Sequence, residues 1–208
     1  MPGSVLLATG NRGKVGELAG ALAAFGLSVL GLDAFPQIGA IEENGASFEE
    51  NALIKARAAA ASSGLVSVAD DSGLEVDALG GAPGIYSARY GADWPLLDGE
   101  SRDARNIRKL LANLAHVRDG GRNCRFVCCM AVVTPAGESL TVRGVWDGTI
   151  LREQRGSNGF GYDPVFFDPL LGRTAAMLTP EEKFAVSHRG KALRALLDRW
   201  EGFFRAGR

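Results

Sequence analysis

The chain is poor in the residues that build zinc and thiol centres. It has two histidines and three cysteines, and the cysteines lie close together as Cys124, Cys128 and Cys129. Cysteines so close on one strand cannot form a disulfide framework, and neighbours on a strand point to opposite faces. The histidines are too few for a histidine-rich zinc site and supply a Cys-His nucleophile pair poorly. The composition therefore favours cysteines that are small buried core residues.

Net charge and long apolar runs are also scarce. The formal net charge is -1, from 23 basic and 24 acidic side chains, so no overall field attracts nucleic acid or an anionic membrane. No apolar run approaches the roughly 20 residues of a membrane-spanning helix, and the N-terminal apolar stretch is too short for a signal peptide. We therefore expect a cytoplasmic protein with no nucleic-acid or membrane partner. An anionic ligand would need a local basic site.

Strands and helices alternate in the first third of the chain. Hydrophobic periodicity and stop signals predict, in chain order, strand 4–10, helix 14–26, strand 27–32, helix 47–64 and strand 65–70. Ser47 and Glu50 have the spacing of a capping box for the second helix. The last strand brings the adjacent carboxylates Asp70 and Asp71 to its end, where a turn is expected.

The rest of the chain predicts a β-meander between helices. A helix is expected at 101–117, and antiparallel strands at 125–150 turn at 135–137. A short helical turn at Pro180 precedes a final helix that begins near Ser187. With 46% hydrophobic residues, residues 1–208 can form one domain with a sizeable core. We expect an α/β fold with a mixed β-sheet rather than a doubly wound parallel one.

Two segments have the chemistry of a triphosphate and metal site. In ATGNRGKV the side chains of Thr9, Asn11 and Lys14 can donate to phosphate on a strand-to-helix turn, although a plain turn with a solvated lysine explains the segment equally well. It is not a P-loop, because the first glycine and the final hydroxyl residue of that motif are missing. The acidic residues that could hold Mg²⁺ are Glu42, Glu43, Asp70 and Asp71.

Two further segments have the chemistry of base recognition. GSNGFGYDPVFF combines glycines, which allow close backbone approach, with Phe160, on which a base could stack; a glycine-rich hairpin is the alternative. Ser187 can cap the final helix and place His188 and Arg189 in its first turn. Cations are unfavourable there unless an anion or a base is bound, which favours recognition, and Lys183 adds another cation.

Five segments in the same order resemble the inosine/xanthosine triphosphate pyrophosphatases, which remove deaminated purine nucleotides. They are LATGNRGKVGEL, SFEENALIKA, ADDSGLEVDALGGAPGIYSARY, GFGYDPVFF and EEKFAVSHRGKAL. The resemblance implies an elongated two-lobed α/β fold with a long central mixed sheet, flanked by helices, and an active site in the cleft between the lobes. It also implies a homodimer and a Mg²⁺-dependent reaction that converts ITP, dITP, XTP and dXTP to the monophosphate and pyrophosphate.

The resemblance also implies roles for individual residues. Asp71 is similar to the general base, which also binds the metal, and Glu42 or Glu43 to the second acidic metal contact. His188 and Arg189 resemble the pair that reads the purine 6-oxo group. The other implied substrate contacts are Thr9, Gly10, Asn11, Arg12, Gly13 and Lys14 in the phosphate-binding turn, then Lys55, Ser72, the base loop Phe160, Gly161, Tyr162 and Asp163, and Lys183.

Two other functions remain open on the sequence alone. A nucleotide-sensing or RNA-binding module could use the same basic and aromatic groups without turnover, but it has no need for clustered acids and is more often net basic. A related triphosphatase that prefers a modified pyrimidine would share the chemistry and differ only in the base loop.

Overall fold

A mixed β-sheet organises the fold. The computed structural model describes residues 3–9, 19–20, 22–23 and 26–206. In this part of the chain the strands are β1 (Ser4–Leu7), β2 (Ser28–Gly31), β3 (Val66–Val76), β4 (Asn123–Val133), β5 (Ser139–Ile150), β6 (Phe166–Asp168) and β7 (Arg173–Thr174). They form one seven-stranded sheet in the order β2-β1-β3-β4-β5-β6-β7. β1 is parallel to β2 and β3, and β6 is antiparallel to β5 and β7, so the expected mixed sheet is confirmed.

Helices flank the sheet. Those described are α1 (Phe48–Ser63), α2 (Arg102–Asn113), α3 (Pro180–Val186) and α4 (His188–Ala206). The helix predicted at 101–117 is therefore shorter, whereas α1, α3 and α4 begin as expected. Within the predicted helix 14–26, residues 19–20 and 22–23 are helical, Gly26 is in a turn, and the other positions lie outside the described residues. In the part of the chain that the structure describes, no helix is long and apolar enough to cross a membrane.

The length of β3 differs from the prediction at the two aspartates. The predicted strand stops at Asp70, but β3 continues through Asp71, Ser72 and Gly73 to Val76. Its residues are buried almost without interruption, and β1 and β4 are its neighbours in the sheet. β3 pairs with β1 over Val66–Val68 and has β4 on its other side, and this place inside the sheet outweighs the turn preference of Asp, Ser and Gly. The aspartates therefore lie in the middle of an inner strand, and the expectation of a turn there is wrong.

The start of α1 has half of the predicted capping box. Oγ of Ser47 accepts a hydrogen bond from the Glu50 N–H at 3.1 Å, as predicted. The Glu50 carboxylate, however, accepts from the Ala46 N–H at 2.6 Å rather than from Ser47. Gly64 ends the helix with a φ of +69°, a left-handed conformation that glycine adopts without strain.

The β-meander confirms the prediction that the cysteines are buried core residues. β4 and β5 are adjacent in the sheet and are joined by residues 134–138, where the turn was expected. Cys124, Cys128 and Cys129 lie in β4, are buried, and form no disulfide. Burial raises the pKa of the Cys124 thiol far above its usual range, which makes it a poor nucleophile.

The chain divides into two compact units. Unit 1 comprises Met1–Asp71, Cys128–Gly144 and Lys191–Arg208, and unit 2 comprises Ser72–Val127 and Val145–Gly190. In unit 1, α1 contacts β1. The small residues Ala52, Ala56 and Ala59 are fully buried on α1, which allows a helix to approach its neighbours closely.

Unit 2 is built around an aromatic cluster. The ring centroids of Phe126 and Phe166 are 4.4 Å apart, and Trp146 lies 4.8 Å from Phe166. The indole N–H of Trp146 donates to the buried Asp168 carboxylate at 2.8 Å. The Trp146 N–H is thus paired where it is buried, which avoids the cost of burying an unsatisfied donor.

Candidate functional site

Asp71 is held by two side chains of α1. The Asn51 side-chain N–H donates to Oδ2 of Asp71 at 3.1 Å, and Nζ of Lys55 lies 3.3 Å from Oδ1. Asn51 and Lys55 are four residues apart and therefore share one face of the helix. Each carboxylate oxygen of the predicted base is thus fixed by a different donor. Sequence reasoning missed Asn51, although its helical spacing from Lys55 is a usable signal.

The Asn51 side chain is itself oriented by the preceding loop. Its Oδ1 accepts the Gly45 N–H at 2.9 Å. A Cβ on Gly45 would lie 2.8 Å from this oxygen, so a larger residue at Gly45 would displace it. The amide therefore presents its N–H group to Asp71 and its oxygen to the loop.

Glu43 joins this cluster and Glu42 does not. Nζ of Lys55 lies 3.1 Å from Oε1 of Glu43, which is half-buried, whereas Glu42 is exposed. Burial alone would lower the pKa of Lys55, but the charges of Asp71, Glu43 and Asp70 outweigh it and raise that pKa above its ordinary value. Lys55 is therefore a fully protonated ammonium at neutral pH.

Asp70 has different surroundings from Asp71. Consecutive strand residues point to opposite faces, so the two carboxylates do not lie side by side. Asp70 is buried, and its Oδ2 lies 4.0 Å from Sγ of Cys128 on β4. The two aspartates, which suggested a shared cation, are neighbours in the sequence. Asp71 is hydrogen-bonded to two side chains of α1.

The oxygen donors of unit 1 fit a magnesium ion that is shared with phosphate. Among the described residues, no three acidic, histidine or cysteine side chains converge closely enough to hold a metal by themselves. Mg²⁺ commonly takes one or two protein carboxylates and completes its shell with water and substrate phosphate. Asp71 and Glu43, both within 3.3 Å of the same ammonium, are carboxylates of this kind.

The phosphate-binding turn is described only at its first residue. Thr9 follows β1, is half-buried, and donates its N–H to the Leu7 carbonyl at 3.0 Å. The predicted contacts at Gly10, Asn11, Arg12, Gly13 and Lys14 lie outside the described residues.

Unit 2 gathers the residues predicted to bind the base. Phe160 is 39% exposed. Nζ of Lys183 lies 4.9 Å from the centre of its ring, and the guanidinium of Arg189 lies 5.6 Å from it. These are distances at which cations are attracted to an aromatic face. Two cations and an exposed ring thus form one surface, suited to a flat, electron-rich ligand.

Helix capping positions the two cations of this surface, Lys183 in α3 and Arg189 in α4. Thr179 and Glu182 form a capping box at the start of α3. Ser187 ends α3 and caps α4, because its Oγ accepts the Gly190 N–H at 3.2 Å. His188 and Arg189 therefore lie in the first turn of α4, as predicted.

Arg189 and His188 have separate partners. An N–H of Arg189 donates to Oγ of Ser72 at 3.3 Å. The His188 ring stacks on Phe126, with centroids 4.8 Å apart and an angle of 19° between the planes. Arg189 therefore contacts Ser72 in β3, whereas His188 packs against the aromatic cluster.

Gly161 and Tyr162 of the base loop make structural contacts. The Gly161 N–H donates to the Asp103 carboxylate at 2.7 Å. The Tyr162 hydroxyl donates to the Ser87 carbonyl at 2.8 Å, and burial raises its pKa far above the usual range. Asp103 and Ser87 were not predicted, and nothing in their sequence spacing reveals them.

A family comparison covers most of the chain. The family model described as "Ham1 family" matches residues 5–199. The chain belongs to the Ham1 family. Two similar curated proteins are each named dITP/XTP pyrophosphatase. The one from Nitratidesulfovibrio vulgaris is 58% identical over 97% of this chain and 98% of its own, and the one from Shigella flexneri is 51% identical over 93% and 96%.

Solved structures give the same Ham1 fold. A HAM1 protein from Coxiella burnetii has a TM-score of 0.84 and 42% identity, covering 93% of this chain and 95% of its own. A protein from Mycobacterium abscessus, titled nucleoside-triphosphatase / dITP/XTP pyrophosphatase, has a TM-score of 0.75 and 49% identity, covering 93% and 98%. The mixed sheet of this chain therefore belongs to the fold of these solved Ham1 structures.

Proposed function

We propose that this protein is a Mg²⁺-dependent pyrophosphatase for ITP, dITP, XTP and dXTP. It converts each to the monophosphate and pyrophosphate and so keeps deaminated purines out of DNA and RNA. The observation that carries the proposal is the setting of Asp71, whose two oxygens are fixed by Lys55 and Asn51. The relatives named dITP/XTP pyrophosphatase support the substrate class.

Asp71 is the general base of this proposal. It takes a proton from a water molecule whose oxygen forms a bond to the α-phosphorus. The bond between that phosphorus and the bridging oxygen breaks, and pyrophosphate leaves with the electron pair. Lys55 and Asn51 hold the carboxylate in one orientation, which is the preorganisation that a general base requires.

Asp71 and Glu43 are the residues that would hold Mg²⁺, with Asp70 buried behind them as a further negative charge. When bound there, Mg²⁺ would supply positive charge to offset the negative charge that develops on the leaving pyrophosphate. Lys55 adds a fixed positive charge beside the same carboxylates. Lys55 is also the predicted phosphate contact from α1.

Selection of the base rests on unit 2. The purine ring lies against Phe160, and the N–H donors of His188 and Arg189, together with Lys183, match a 6-oxo acceptor. A 6-amino group in the same place would leave these donors unpaired, and such a mismatch in a buried site costs several orders of magnitude in rate. Ser72 is a substrate contact next to Asp71 and a partner of Arg189.

Pyrophosphate release is the experiment that tests the function. ITP, XTP, ATP and GTP are supplied at equal concentration, with Mg²⁺ and again with excess EDTA. We expect rapid release from ITP and XTP that EDTA abolishes, and slow release from ATP and GTP. Binding of ITP without any release would instead favour a nucleotide-sensing module. The homodimer and the cytoplasmic location remain predictions, and the mass of the protein in solution tests the first.

A further inference from the structure

Asp163 is a buried acid of unit 2. It is 2% exposed. Its Oδ2 lies 2.5 Å from Nζ of Lys183 and accepts the Phe160 N–H at 2.8 Å. One carboxylate oxygen therefore fixes both the ammonium that faces the Phe160 ring and the backbone that carries this ring.

The chain leaves room for this oxygen by placing a glycine beside it. Gly159 has a φ of +76°, in the left-handed region that favours glycine. A Cβ at Gly159 would lie 2.0 Å from Oδ2 of Asp163. Any other residue would therefore strain the backbone and displace the carboxylate from Lys183 and Phe160.

Lys183 is needed to keep the carboxylate in place. Burial raises the pKa of Asp163, and the Lys183 ammonium opposes this rise by favouring the charged form. A buried pair of this kind is costly to break from either side, because the remaining charge has no partner. The ion pair of Asp163 and Lys183 therefore links the base loop to α3.

We propose that Asp163 is a positioning residue, which sets base recognition by holding Lys183 and the Phe160 backbone without contacting the base itself. The inference rests on the proposed function and changes one expectation, which counted Asp163 among the substrate contacts. The Lys183 side chain donates one N–H to Asp163 and has further N–H donors for an oxo group of a deaminated purine. Recognition then depends on Asp163 only through Lys183 and Phe160.

Asp163→Asn isolates the contribution of the charge. Its side-chain oxygen can still accept the Phe160 N–H, but it no longer neutralises the ammonium. Asp168→Asn is the matched control, since Asp168 is also buried in unit 2 and accepts from Trp146 and from the Leu170 and Leu171 N–H groups. Both variants lose stability, measured as the urea midpoint. We expect Asp163→Asn alone to raise KM for dITP about tenfold, with kcat changed less than about twofold.

A double-mutant cycle with Lys183→Met tests the route of the effect. If Asp163 acts through Lys183, then Asp163→Asn changes KM in the wild-type background but not in the Lys183→Met background. The double variant also removes both buried charges together and so remains measurable if Asp163→Asn fails to fold. A further rise of KM in the double variant over Lys183→Met would overturn the proposal, as would an equal effect of Asp168→Asn on KM.

Calorimetric binding of IMP separates this inference from the proposed function. IMP carries the base but cannot release pyrophosphate. Weaker IMP binding by Asp163→Asn, with unchanged binding by Asp168→Asn, supports the positioning role even if the wild-type protein hydrolyses no triphosphate. Unchanged IMP binding by Asp163→Asn would overturn that role even in an active pyrophosphatase.

Discussion

Nζ of Lys55 in α1 lies 3.3 Å from Oδ1 of Asp71 in β3, although the two residues are 16 positions apart in the chain. This ion pair is buried, so water screens it little. It joins the helix that follows the acidic loop to the strand that carries the proposed base. The first two predictions change one partner of the pair at a time.

Asp71→Asn removes the proposed base and keeps the size of the side chain. We expect kcat for dITP to fall by about a thousandfold or more, because an amide cannot take the proton of the attacking water. Pyrophosphate release in the presence of Mg²⁺ measures the change. Asp147→Asn is the matched control, since Asp147 is exposed on β5, and it should keep wild-type activity. Substantial turnover by Asp71→Asn would remove Asp71 from the role of base.

Lys55→Met removes the ammonium between two carboxylates. The remaining charges of Asp71 and Glu43 then lack their common partner, which for a buried pair costs about 3 kcal/mol of the free energy of unfolding. Urea denaturation at neutral pH measures this loss. Arg57, an exposed cation on the same helix as Lys55, supplies the control, Arg57→Met, for which little change is expected. Equal stabilities of the two variants would show that the contacts of Lys55 contribute nothing to folding.

Arg189→Ala tests base recognition. The guanidinium lies beside the Phe160 ring and donates to Ser72, so its loss removes a donor from the proposed base site. We expect kcat/KM for ITP to fall about a hundredfold and kcat/KM for ATP to fall much less. Arg194→Ala, an exposed position on the same helix, should change neither. An equal loss for ITP and ATP would indicate that Arg189 holds phosphate instead.

Glu100 predicts an acid dependence of stability that does not involve the site. Its bond with Arg108, helped by the Leu97 N–H, lowers the pKa of Glu100 from 4.5 to about 2. The lowered pKa means that the folded state favours the charged form. The stabilisation is therefore present above pH 4.5 and is lost as the pH falls toward about 2.

Glu100→Gln should reduce this pH dependence. Between pH 4.5 and about 2, the free energy of unfolding should fall less steeply in the variant than in the wild type. Urea denaturation across this range measures both slopes. Glu138→Gln, an exposed acid in the β4–β5 turn, is the control and should keep the wild-type slope. Identical slopes for Glu100→Gln and the wild type would exclude a contribution from Glu100.

Much of the fold could be predicted from the amino-acid sequence. Periodicity gave the mixed sheet, and local signals gave the starts of α1 and α4, because a cap such as Ser47 or Ser187 acts on the next few residues. The same locality placed His188 and Arg189 in the first turn of α4. These features depend on interactions between residues that are close in the sequence, so the sequence alone can predict them.

Tertiary structure alone decided the surroundings of the two aspartates and of the base loop. The sequence around Asp70 and Asp71 predicts a turn, yet β3 continues through both as an inner strand, and strand alternation then separates their side chains. The ion pair of Lys55 with Glu43 rather than Glu42 depends on a contact between distant segments. The same is true of the ion pair of Lys183 with Asp163. Hydrogen bonds and ion pairs need atoms within about 3 Å, and sequence spacing fixes such distances only inside one helix or strand.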